Sequence, residues 1–146
     1  MSSLGDMNFN LKIDKKTANY FKRTMPHKLT EAKTRAVEAM GKVWTDETKT
    51  LTRDEKHLRT GLYVNSIGTL TNIKPAPGYD AVPATEGDVI HEIVDSGGKT
   101  ILKIGSNVAY AGYLEKKFNL MARGLDVSSN RMQKVAKTQI KDTLFG

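Results

Sequence analysis

The 146-residue sequence has no cysteine, only four prolines, a single tryptophan and no long apolar run. Without cysteine, disulfide bonds, thiol catalysis and thiolate metal sites are excluded. No segment approaches the ~18 consecutive apolar residues that a membrane span needs, and the N-terminal MSSLGDMNFNLKI lacks the layout of a secretory signal. We therefore expect one domain over residues 1–146, large enough for one core, with no membrane partner.

Basic residues outnumber acidic ones by 23 to 16, so the formal net charge is +7. A chain of this charge favours polyanions or acidic protein surfaces as partners. The basic excess lies in residues 1–60 and 125–146, whereas the middle of the chain is balanced. The two ends of the chain are therefore the places to look for a cationic surface.

Two helices are predicted in the first third of the chain, where apolar residues recur at steps of three and four. The longer helix begins at Pro26, whose fixed φ suits a first helical turn, and continues at least to Leu51. A shorter helix, Lys15 to Met25, precedes it. Polar residues fall on the side of the long helix away from the apolar stripe and are expected in solvent: Glu31, Arg35, Glu38, Lys42 and Lys49.

The last quarter of the chain is predicted to be helical again. Tyr110–Phe118 is a short amphipathic segment, and Ser128 or Ser129 can cap a final helix. Its apolar residues are Met132, Val135, Ala136, Ile140 and Leu144. Its basic residues, Arg131, Lys134, Lys137 and Lys141, fall on the opposite arc and form what we call the cationic face. This face either contacts DNA or an acidic protein, or is simply a solvated surface.

The middle of the chain has the period-two pattern of strands. Strands are predicted at Leu62–Ile73, Val89–Asp95 and Thr100–Gly105, in a meander, and a fourth can come from Leu11–Ile13. Gly97-Gly98 predicts a hairpin turn, and the Pro/Gly-rich residues 74–88 predict a mobile loop. The element order predicts an α+β fold, in which a long N-terminal helix packs on a small antiparallel sheet of three or four strands and a C-terminal helix follows.

The three histidines, His27, His57 and His91, stand in no catalytic or metal-binding spacing, and no phosphate-binding glycine motif is present. We therefore expect no enzymatic activity, no cofactor and no metal. Two alternatives remain from the residues alone. One is a small basic nucleic-acid-binding protein, and the other is a hydrolase that uses His57 with Asp54 or Glu55.

Two local stretches are more specific. The first, LRTGLYVNSI (Leu58–Ile67), is interpreted as a helix exit, a glycine turn at Thr60-Gly61 and the start of a strand. The second, NVAYAGYLEKKF (Asn107–Phe118), follows a predicted strand and is interpreted as a packing helix.

In this order the two stretches resemble the phage head–tail joining proteins, the small neck or tail-completion proteins of tailed phages and prophages. The layout matches over residues 15–145, and residue identity matches only in the motifs R-T-G-x4-S-I and Y-A-x3-E. Tyr63 and Lys117 stand where the family commonly has a leucine and often a glycine. The motif residues of this chain are Arg59, Thr60, Gly61, Ser66, Tyr110, Ala111 and Glu115.

The resemblance implies a virion structural protein at the head–tail junction, made in the host cytoplasm. Such subunits commonly assemble as a ring, often hexameric, between connector and tail. The implied partners are further copies of this chain, the adjoining connector and tail proteins and, through non-specific contact, packaged DNA. The motif residues are expected to shape interfaces. We expect Glu115 at a subunit interface, or bound to Arg59 or to a backbone amide.

Overall fold

The computed structural model describes residues 5–11, 13–96 and 99–146 and has an α+β fold, as predicted. The long helix α2 packs on a three-stranded antiparallel sheet and on the C-terminal helix α5. The strands are β1 (Asp6–Leu11), β2 (Val89–Ser96) and β3 (Lys99–Ser106). The helices are α1 (Lys15–Thr24), α2 (Pro26–Asp54), α3 (Leu62–Ser66), α4 (Ala111–Phe118) and α5 (Leu120–Phe145), with a 3-10 turn at Glu86–Asp88.

The sheet has the order β1-β3-β2, so the predicted meander is wrong. Its third strand comes from the N-terminus, where Asn8, Phe9, Asn10 and Leu11 alternate polar with apolar and bury only the apolar side chains. Of the predicted extended piece Leu11–Ile13, Leu11 is the last residue of β1, Ile13 is not in a strand, and Lys12 lies outside the described residues. The predicted hairpin β2–β3 is confirmed, whereas its turn residues Gly97-Gly98 lie outside the described residues.

Residues Leu62–Ile73 do not form the predicted strand. Leu62–Ser66 is the short helix α3, and residues 67–85 have no regular structure. The pattern misled because Tyr63 through Ile67 are all buried, so no exposed face alternates with a buried one. Ser66 also donates a hydrogen bond to the carbonyl of Tyr63, a local bond that stabilises a helical turn over a strand.

Helices α2 and α5 run antiparallel and make the largest helix–helix contact of the fold. They approach closely at Gly124, where a Cβ atom would overlap the Thr48 hydroxyl. The indole nitrogen of Trp44 donates to the Met121 carbonyl at 3.0 Å across the same contact. The predicted cap at Ser128 or Ser129 is wrong, because α5 already begins at Leu120. Ser128 is buried inside it and donates to the Gly124 carbonyl.

Lys49 is buried, not solvent-exposed as predicted. Its ammonium donates to the Thr69 carbonyl at 2.6 Å and to the Thr71 hydroxyl at 2.8 Å, so it ties the segment after α3 to α2. Burial lowers the pKa of Lys49 to about 8. The helical period placed Lys49 among the polar side chains of α2, but the segment after α3 folds over it.

The apolar core has two parts. The larger part lies between α2, α5 and the sheet around Trp44, Leu102 and Ile104. A smaller satellite cluster lies at the other end of the α2–α5 pair and consists of Phe21, Leu29, Ala32 and Leu144. Across the described ranges, no helix is both long and apolar enough to cross a membrane.

Backbone hydrogen bonds hold the loop 74–88 at residues 76 and 82, on either side of its tip. The Ala76 amide donates to the Arg59 carbonyl at 2.9 Å, and the Val82 amide donates to the Thr60 carbonyl at 3.0 Å. Asp88 and Thr85 exchange hydrogen bonds in a capping box before β2. The loop therefore leaves the body at the end of α2, and its mobility stays a prediction.

Candidate functional site

The turn Arg59-Thr60-Gly61 links α2 to α3 and carries the start of the first motif. Gly61 has the predicted positive φ, +83°, which glycine adopts without steric cost. A Cβ atom there would also come within 3.1 Å of the Asn65 side chain and 3.2 Å of the Ile73 carbonyl. The turn works through its backbone, because the Arg59 and Thr60 carbonyls hold the loop while the Arg59 side chain is exposed.

Asn65 is a hydrogen-bonding centre that sequence reasoning missed. Its side-chain amide donates to the Ile73 carbonyl at 2.9 Å, and its side-chain oxygen accepts from the Ile73 amide at 2.7 Å. The same oxygen accepts from the Thr71 hydroxyl at 2.9 Å. A buried asparagine can thus replace strand pairing for the segment after α3. Its position inside the unspecified x4 of the first motif gave no sign of this role.

Ser66 connects the first motif to the end of β3. Its hydroxyl lies 2.6 Å from the Ser106 hydroxyl, and both side chains are buried. Since Ser66 donates its single proton to the Tyr63 carbonyl, Ser106 must donate to Ser66. The Val108 amide in turn donates to Ser106 at 3.3 Å. One directed chain of hydrogen bonds therefore runs from the second stretch into the first.

Tyr63 lies beside the second motif. Its ring centroid is 6.4 Å from that of Tyr110. Burial, with the neighbouring Glu115 carboxylate as a smaller cause, raises the pKa of the Tyr63 hydroxyl. This hydroxyl has no hydrogen-bond partner within the described residues, although it is buried. The two motifs are thus in contact through a tyrosine that departs from the family pattern.

Glu115 fastens the start of α5. Its carboxylate accepts from the Met121 amide at 2.7 Å and from the Ala122 amide at 3.1 Å. These amides belong to the first turn of α5, where backbone donors have no partner inside the helix. Burial raises the pKa of Glu115, and the two backbone bonds oppose that shift. Three alternatives were expected for Glu115, and the structure shows one of them, the hydrogen bond to a backbone amide.

The outer face of α4 exposes aromatic and basic side chains next to these buried contacts. Tyr110 is 40% exposed and Tyr113 is 63% exposed. The Lys117 ammonium lies 5.9 Å from the Tyr113 ring centroid and 5.3 Å from that of Phe118. Ala111, the remaining motif residue, is buried under the helix. Exposed tyrosines on a firmly held helix are typical of interface residues.

The cationic face of α5 is present and exposed. Lys134, Lys137 and Lys141 point away from the buried Met132 and Ala136, as the helical period predicted. Arg131 lies 3.9 Å from the Glu47 carboxylate, so one of the four charges has a partner on α2. This face is remote in sequence from the two motifs and is a separate candidate surface.

The histidines do not assemble into one site. The His57 ring packs on Phe118 at 3.9 Å between centroids, and its Nε2 atom lies 3.6 Å from the Glu55 carboxylate. That carboxylate also receives two hydrogen bonds from Arg123, which lower its pKa. Within the described residues, no group of three histidine, aspartate or glutamate side chains could hold a metal ion.

Comparison with known proteins finds no matching family model, no matching curated protein and no matching solved structure.

Proposed function

We propose that this chain is a virion structural protein of a tailed phage that assembles as a ring at the head–tail junction. One observation carries the proposal: the two stretches behind the resemblance pack against each other. Tyr63 contacts Tyr110, and the Ser66–Ser106 bond connects residues 40 positions apart in the chain. The contact brings both motifs together beneath the exposed face of α4.

A ring of identical subunits needs two different surfaces on each copy, because the contacts run head to tail. This chain offers several exposed surfaces of distinct chemistry, including the aromatic face of α4 and the cationic face of α5. The surfaces stand on elements that buried hydrogen bonds hold in place. Such preorganisation lowers the entropic cost of assembly.

The test is deletion of the coding sequence in the phage or prophage that carries it, followed by electron microscopy of the lysate. We expect full heads and separate tails, with joining restored by the wild-type gene supplied in trans. Tyr113→Ser supplied in trans should restore joining poorly, whereas Thr138→Ser, an exposed change on α5, should restore it fully. Joined particles in the deletion lysate would contradict the proposal.

A small basic nucleic-acid-binding protein is the second candidate, because three lysines of the cationic face are exposed on one arc of α5. Phosphate contacts by these lysines would make DNA affinity fall steeply with salt. A filter-binding titration of double-stranded DNA at several salt concentrations tests this function directly. A salt slope that decreases when Lys134, Lys137 and Lys141 are changed to glutamine would support it.

A further inference from the structure

We propose that copies of this chain join head to tail, with the loop tip of one copy seated in a basic aromatic groove of the next. The groove, here the α1 groove, has a volume of about 390 Å³ and is lined by Lys16, Thr17, Tyr20, Phe21, Arg23 and Phe145. The loop tip comprises residues 76–82, and Glu86 follows it. This inference rests on the ring assembly proposed above and names its interface.

The α1 groove combines positive charge with exposed apolar surface. The segment 15–28 contains five lysine and arginine residues and no acidic residue. Tyr20 is 51% exposed and Phe145 is 67% exposed, and the Phe145 ring packs edge-on against Phe21 at 5.5 Å. Tyr20 and Phe145 line the same groove, and contiguous exposed apolar surface marks interaction sites. The groove therefore suits an acidic ligand with an apolar side chain.

The loop tip has the complementary chemistry. Tyr79 is 52% exposed and Val82 is 43% exposed, and the acidic residues Asp80 and Glu86 are exposed beside them. The backbone bonds to Arg59 and Thr60 fasten both ends of the tip, and Gly78 at a φ of +88° makes its turn. These bonds restrict the conformations of the tip before it binds, which lowers the entropic cost of docking.

The groove and the tip lie at opposite ends of α2. The groove belongs to the satellite cluster, which contacts α2 at Leu29 and Ala32, whereas the tip is fastened just beyond the C-terminal end of α2. A helix of 29 residues is about 43 Å long at 1.5 Å per residue. One chain therefore cannot fill its own groove. A contact between unlike surfaces at opposite ends is the type that closes into rings or extends into filaments.

A second copy fits the groove better than DNA does. Polyanion binding uses the basic side chains but leaves the apolar lining of the groove without a role, unless bases are unstacked. The loop tip matches both the charge and the apolar lining of the groove, because it brings an acidic side chain and exposed apolar side chains together. A symmetric dimer through two α1 grooves is disfavoured, because it would bring like charges face to face.

Charge reversal with mixing tests this interface. The groove variant is K16E/R23E, and the tip variant is D80K/E86K. All four side chains are exposed, and within the described residues none makes a hydrogen bond or an ion pair. Each variant alone would oppose like charges at every contact, so we expect self-association, measured by sedimentation velocity, to weaken by at least about tenfold.

Mixing the two variants at equal concentration should restore association, because each mixed contact pairs opposite charges again. A K42E/R53E variant makes the same change in charge as the groove variant, but on exposed positions of α2 outside both surfaces. It should assemble as the wild type does. Wild-type protein that stays monomeric, or a mixture that assembles no better than its components, would overturn the proposed interface.

Two further results separate this interface from the other possibilities. If the groove variant still assembles but loses affinity for double-stranded DNA, the α1 groove is a DNA site and the proposal is wrong. If the mixture fails while the wild type still joins heads to tails in the complementation assay, the neck function stands without this interface.

Discussion

The two ends of helix α2 are held in different ways. At the C-terminal end, buried polar groups of Lys49, Asn65, Ser66 and Glu115 each bind a defined partner. At the N-terminal end, the satellite cluster holds α1 to α2 and α5 by apolar contact. The rings of Tyr20 and Phe145 at this second end are largely exposed to solvent.

The difference follows from what each kind of contact specifies. Hydrogen bonds between buried groups depend on direction, so they fix one arrangement of α3, the loop and α5. Apolar contact is non-directional and tolerates small shifts. A buried polar group that loses its partner costs free energy, whereas an exposed ring that is removed costs little in the isolated chain. Substitutions at the first end should therefore affect folding, and those at the second end should affect association.

The largest loss of stability is expected for Glu115→Ala. The change leaves the buried Met121 amide and the half-buried Ala122 amide without a partner, which should lower the free energy of unfolding by about 3 kcal/mol. Urea denaturation followed by circular dichroism measures it. Glu115→Gln should recover part of the loss, because its amide oxygen can still accept. Since the Glu115 carboxylate is buried and bound to backbone amides, we expect the change to affect folding more than assembly.

Gly61→Ala should cost about 2–3 kcal/mol, because it adds left-handed backbone strain to a close contact with Asn65 and Ile73. Gly78→Ala is the matched control: its φ is +88°, but nothing lies within 4 Å of the added Cβ. We expect about 1 kcal/mol for the control. Equal losses of thermal stability for both variants would mean that packing around Gly61 has no part in holding the loop.

Several elements could be predicted from the sequence because their signals are local. Pro26 marks the start of α2, the period of three and four marks its buried face, and the alternation around Leu102 marks β3. Gly61 was predicted to have a positive φ because it lies at the turn between a predicted helix and a predicted strand. These signals depend on neighbours along the chain, so a single sequence contains them.

The wrong predictions have a different origin, since each concerns a residue whose partner is distant in the chain. Residues after Gly61 resemble a strand, but Asn65 supplies their hydrogen bonds from a short helix. Ser128 resembles a cap, but Glu115 binds the first amides of α5 further upstream. Lys49 lies on a solvent-side arc that the segment around Thr69 covers. Local periodicity cannot show which side chain will reach across the fold.

Stability should rise with pH through Lys49. Its folded pKa is about 8 against an ordinary value of 10.5, so between these values the unfolded chain binds more protons than the folded one. The free energy of unfolding should therefore increase by about 2 kcal/mol from pH 7.5 to 9.5. Lys49→Met should remove this rise, and Lys42→Met, an exposed change on the same helix, should keep it. Denaturation curves of the three proteins at four pH values decide between these outcomes.

The Ser66–Ser106 contact should contribute a smaller, coupled amount. Each change to alanine should cost about 1 kcal/mol, and the double variant should cost clearly less than the sum, because both singles break the same bond. Strict additivity in chemical denaturation would show that the two hydroxyls do not interact. The same cycle measured on joining efficiency would tell whether the contact between the motifs matters beyond folding.

The smallest effect on the isolated chain is expected at the cationic face. Changing Lys134, Lys137 and Lys141 together to glutamine removes exposed charges without buried partners, so the free energy of unfolding should stay within about 0.5 kcal/mol of the wild type. Under the proposed functions, association with DNA or with an adjoining neck component should nevertheless fall, and the difference from the wild type should shrink as salt rises. Joining in the complementation assay and circular dichroism of the purified variant measure the two effects.

A triple change at Lys42, Arg53 and Lys99, all exposed on other elements, controls for net charge. If both triple variants join heads to tails as well as the wild type does, the cationic face is only a solvated surface.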